Sequence, residues 1–143
     1  MAEAQHAGSA QNTTSRATAR VLGPQEGETV GKPGILHDRF MVNSRESGGG
    51  FALVEHLLPP RTLAAPLHRH SREDEYSYVL EGRVGAQLGE DEVFGEAGDL
   101  IFKPRGQWHT FWNAGARTGS GRSSSGVLVA PRSGREPLIG CLV

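Results

Sequence analysis

Apolar residues in this chain come in short runs, cut by Gly, Pro and clusters of charge. Runs of this kind, rich in Val, Tyr and Phe, predict strands rather than helices. The firmest is 51–58, enclosed by Gly48-Gly49-Gly50 and Pro59-Pro60. Before it, 35–43 predicts a strand, and 21–34 reads as turns with room for one edge strand. Beyond Pro60 the pattern predicts strands at 63–70, 75–81, 83–89, 92–94, 100–102 and 107–113. Turns fall at 71–74, Glu90-Asp91, Gly98-Asp99 and Pro104-Arg105-Gly106. No stretch in the middle of the chain carries a helical period. Many short strands at close, even spacing predict an all-β sandwich or closed barrel.

Alternation along strands sorts residues between faces. If Glu75 points inward, Ser77 and Val79 join it, leaving Tyr76, Tyr78 and Leu80 outside. If His109 points inward, so do Gln107, Phe111 and Asn113, with Trp108 and Trp112 outside. Soluble monomers rarely expose so much aromatic surface. A second copy of the chain, as a homodimer, or the N-terminal segment is expected to cover it.

The ends differ from the middle. Residues 1–20 are small and polar without periodicity, the signature of a disordered tail. Residues 21–115 make one barrel domain. The C-terminal segment 116–143 is Gly/Ser/Arg-rich, with isolated apolar steps and one candidate closing strand near 126–130. A chain of 143 residues favours a single domain with a real core. Its 20 glycines and 8 prolines suit a fold with many tight turns. A net charge of -1 gives no electrostatic reason to expect nucleic acid or an anionic membrane as partner. No apolar run approaches membrane-spanning length, and the N-terminus lacks a signal-peptide core. A lone Cys141 cannot form an internal disulfide and fits a reducing, cytoplasmic setting.

The chemistry lies between Leu67 and Asn113. His68 and His70, two apart on an extended segment, point to one face. Glu73, Asp74 and Glu75 follow at once, and His109 comes from a strand distant in sequence. Three imidazoles and a carboxylate make a mixed nitrogen/oxygen site for one divalent transition metal: Fe, Mn, Ni, Cu or Zn. His56 has no partner at ligand spacing and reads as structural. Gln107, Phe111, Phe102 and Val79 are candidate substrate-pocket residues. Lys103 and Arg105 read as solvated loop charges.

The first stretch, His-x-His-x4-Glu-x6-Gly at His68, His70, Glu75 and Gly82, resembles the first motif of the cupin superfamily. The second, at Gly98, Pro104, Gly106, His109 and Asn113, matches that family's second motif at every fixed position. Thr62 stands where the first motif usually opens with Gly. The spacing to Gly82 selects Glu75 over Glu73 and Asp74 as the fourth ligand. The resemblance implies a single double-stranded β-helix (jelly-roll) barrel. It also implies a metal held by His68, His70, Glu75 and His109, with a small-molecule substrate in the barrel mouth. Among small cupins of the quercetinase type it points to a metal-dependent dioxygenase-like enzyme, with Glu75 as ligand and, if it swings free, general base. A non-redox isomerase or cyclase, and a non-catalytic binding or sensor module, are the alternatives.

Overall fold

A computed structural model describes residues 18–32 and 35–115 and the backbone of one further strand, 124–129. The rest of the 1–20 and 116–143 segments, with His6 and Cys141, lies outside the described residues. Nine strands follow in order: β1 (Glu28–Gly31), β2 (His37–Val42), β3 (Ala52–Leu57), β4 (Glu75–Val79), β5 (Arg83–Leu88), β6 (Asp91–Glu96), β7 (Leu100–Lys103), β8 (His109–Asn113) and β9 (Ser124–Val129). Among the described residues there is no helix, so none is long and apolar enough to cross a membrane.

The strands form a six-stranded sheet in the order β1-β2-β3-β9-β4-β7 and a three-stranded sheet in the order β6-β5-β8. All pairings are antiparallel. The architecture is the all-β jelly roll expected from the sequence. It departs from a continuous barrel in one respect: among the described residues no ladder joins the two sheets edge to edge. The chain crosses between sheets through tight turns, one at Gly82 with φ of 75° and one at Gly98 with φ of 96°. Only Gly adopts that left-handed conformation freely.

The segment 63–70 is not the regular strand its pattern predicts. It touches β8 through two isolated bridges, Leu63 to Trp112 and His68 to His109. Pro66 sits between them and has no N–H to give a ladder. At the head of this segment Arg61 takes a left-handed φ of 60°, one residue before Thr62, where the resembled motif has Gly.

Alternation assigns the faces as expected. Glu75, Ser77 and Val79 are buried, while Tyr78 is exposed. His109, Phe111 and Asn113 are buried, and Trp108 is exposed. Leu58, Val79, Val84, Ala86, Ile101 and Phe111 form the apolar core between the sheets. Each of these except Ala86 contributes on the order of 1.5–3 kcal/mol if fully buried. The register aligns Glu75 with Val129 and Ala52, and Val79 with Ser125 and His56. The apolar core therefore fills one end of the interior, and the other end is lined by Glu75, Lys103 and His109.

A candidate metal centre

Three backbone hydrogen bonds and one side-chain clamp bring the polar end together. His68 and His109 exchange both main-chain hydrogen bonds, the N–H of His68 to the His109 carbonyl at 2.9 Å and the reverse at 2.7 Å. That pairing fixes two imidazoles side by side, with ring centroids 4.5 Å apart. The Gly106 N–H donates to the His70 carbonyl at 2.7 Å, joining the turns of the two histidine stretches. Arg105 grips Asp74 from the same turn, its Nη2 donating to Oδ2 at 2.6 Å and its Nε to Oδ1 at 3.0 Å. Glu75 then opens β4, facing inward beside the three rings.

The ligand atoms of His68, His70, Glu75 and His109 all lie within 4.8 Å of one another. Glu75 Oε2 is the common point: 3.0 Å from His70 Nε2, 3.1 Å from His109 Nε2 and 3.9 Å from His68 Nε2. Two ligands at right angles, each about 2.1 Å from a cation, stand about 3 Å apart. The donor chemistry agrees. His68 Nδ1–H donates to the Pro66 carbonyl at 2.7 Å, and His109 Nδ1–H donates to the Gln107 carbonyl at 3.0 Å. In the neutral rings each Nε2 then carries a bare lone pair aimed at a carboxylate oxygen, itself an acceptor. Converging acceptors need a cation between them, and carbonyl-anchored imidazoles are the usual arrangement around a bound metal. The residues present fit such an ion.

Burial favours the neutral form of His68 and lowers its pKa, against the opposing pull of the Pro66 carbonyl. Burial alone would raise the Glu75 carboxyl. Hydrogen bonds with His109 and His70, which form only when Nε2 carries a proton and no metal, together with the charge and hydrogen bond of Lys103, overcome it and hold Glu75 well below the ordinary carboxylate range.

Lys103 is the departure from the sequence reading. It is not a solvated loop charge: it is fully buried, its Nζ donating to Glu75 Oε1 and, at 2.6 Å, to Ser77 Oγ. The same Nζ lies 4.0 Å from the centre of the Phe111 ring. The strand runs one residue farther than its apolar run, so Ile101 and Lys103 share the inner face. That alternation, read through the charge, was the available signal. It also turns Phe102 outward, where it stacks on Tyr76 with centroids 4.9 Å apart, away from the interior it was expected to line. Val79 and Phe111 are buried in the core. Gln107 is half-buried, with its amide near Gly89. Of the rival carboxylates, Asp74 is taken by Arg105, and Glu73 is buried with Oε2 3.9 Å from His70 Nδ1. His56 bonds Asp38 through Nδ1 at 2.7 Å and packs edge-on against Phe111.

Residues 54–120, which span all four ligands, match the cupin domain family. The protein carries a cupin domain. No protein of curated function matches the sequence. Solved structures share the cupin fold. One is a predicted oxalate decarboxylase from Thermotoga maritima, with TM-score 0.65 and 21% identity over 78% of this chain and 99% of that one. KdgF from a Halomonas species gives 0.64 and 18%, over 81% and 96%. TT1209 from Thermus thermophilus gives 0.57 and 24%, over 71% and 89%. At these identities the likeness is one of fold.

Proposed function

We propose that this cupin holds one divalent transition metal through Nε2 of His68, His70 and His109 and Oε2 of Glu75, and acts as a dioxygenase-like enzyme on a small organic molecule. The observation that carries it is the convergence of three Nε2 atoms on one carboxylate oxygen, two of them, in His68 and His109, left as bare lone pairs by Nδ1–H bonds to backbone carbonyls. A metal held there supplies Lewis-acid chemistry and, for Fe, Mn, Ni or Cu, redox chemistry. Glu75 serves as a ligand and, if it swings free, as general base. Phe111 and Gln107 flank the substrate, with Val79 on the floor beneath. The exposed outer face supports a homodimer, and the lone cysteine a cytoplasmic setting.

Elemental analysis of the purified protein beside His109→Ala tests the reading. The variant should lose metal affinity by well over the 10–100-fold typical of changes in outer-shell partners. Redox metal with oxygen uptake supports the dioxygenase. Zinc with turnover but no oxygen uptake moves the assignment to an isomerase or cyclase, and ligand binding without turnover moves it to a sensor. Equal, negligible metal in both proteins removes the metal reading.

A further inference from the structure

The buried Lys103 has no role in holding a metal directly, yet all its contacts involve the wall of the metal site. Its Nζ meets a carboxylate oxygen, a hydroxyl and the face of an aromatic ring. Burial pulls the Lys103 pKa below its ordinary value, and each of these partners works against that pull in favour of an ammonium. Two consequences follow for Glu75. Its Oε1 is occupied, so only Oε2 is presented to the three imidazoles. Its negative charge is also offset at once by a positive charge directly behind the ligand oxygen.

We infer that Lys103 is a positioning residue that keeps Glu75 a one-oxygen ligand and keeps the metal site cationic, so that the site selects a small organic oxyanion such as an enolate, phenolate or carboxylate. The inference rests on the metal reading above. Three neutral imidazoles add no charge, and Glu75 with Lys103 sums to zero. A divalent ion therefore keeps more of its charge toward the substrate than it would beside Glu75 alone, with the buried Glu73 carboxylate lying farther out, 3.9 Å from His70 Nδ1. Without Lys103 the carboxylate could close on the ion with both oxygens and would cancel half its charge. Both changes act against an anionic ligand, and neither discriminates against a neutral one on charge.

The test uses the full-length protein loaded with Co2+ and titrated by visible absorption with azide, an anion, and imidazole, a neutral ligand. Lys103→Met should weaken azide by about tenfold or more, the effect of one unit charge several ångströms away in a partly screened site. The azide-to-imidazole preference should fall by a similar factor. Lys103→Arg should restore the preference in large part. Ser77→Ala keeps the charge but drops one tether. It should lower the preference less than Lys103→Met, and it carries the test if Lys103→Met fails to fold. An unchanged preference in Ser77→Ala and in every folded Lys103 variant overturns the inference while leaving the metal reading intact. Failure of the wild-type protein to retain Co2+ sinks the metal reading first, and the two failures are thereby distinguished.

Discussion

A lysine inside a protein is costly unless its charge is met, and Lys103 is met on three sides. Its position shows what a residue-level reading of the sequence can and cannot reach. The four candidate ligands were legible because motif spacing selects them, with strand alternation adding Glu75 and His109. Lys103 was not, because a charged residue beside a Pro-x-Gly turn is ordinarily solvated, and only its partner Glu75 makes the inside tolerable. Phe102 was misplaced by the same oversight, since turning Lys103 inward sends its neighbour out. Asp74 carries a prediction at this scale. Side-chain and backbone hydrogen bonds from Arg105 pull its carboxyl down to about 2 from an ordinary 3.8. A depressed folded pKa stabilises the native state above the ordinary value, and the stabilisation fades as pH falls toward the folded one. Thermal melts between pH 5 and roughly pH 2 should show Asp74→Asn with a shallower acid loss than wild type. Equal slopes would mean that the Asp74–Arg105 clamp contributes nothing to the acid limb.

At the scale of elements, the regular strands were legible and the ligand-bearing segment was not. Strands β3, β4, β5, β7 and β8 sit where apolar runs and turn residues put them, within a residue or two at each end. The segment 63–70 looked the same by hydropathy, but Pro66 interrupts the bonding on which a strand depends. Its two histidines converge through a single paired bridge to His109 instead of through a ladder. Packing between β5 and β8 rests on a glycine that the alternation of Val84, Ala86 and Leu88 gave no reason to single out. A Cβ on Gly85 would lie 2.6 Å from Trp112 Nε1, and the indole is itself held by the edge-on Phe94 ring. Gly85→Ala should therefore destabilise the domain by about 1–3 kcal/mol. Urea denaturation reads this directly, and a midpoint equal to wild type would show that the indole can move aside.

At the scale of the whole molecule, one face is left uncovered by the described residues. Tyr78, Leu80, Leu100 and Phe102 are each 46–57% exposed on the outside of β4 and β7, around the Tyr76–Phe102 stack. The register places Tyr78 opposite Leu100 and Tyr76 opposite Phe102, so the patch is continuous across the two strands. Sedimentation equilibrium should give about twice the 15.3 kDa chain mass, and Leu100→Glu should shift the population toward monomer. A wild-type monomer at micromolar concentration would refute the proposed homodimer.

The position of β9 bears on how this domain comes into being. It lies in the middle of the larger sheet, hydrogen-bonded to β3 on one side and β4 on the other, yet it is the last of the described strands in the chain. During synthesis, the two flanking strands leave the ribosome with facing edges bare. The larger sheet cannot become continuous until residue 129 has emerged. Completion of the sheet then waits on this late strand, with long-range closure as its slow step and a window in which the bare edges invite aggregation.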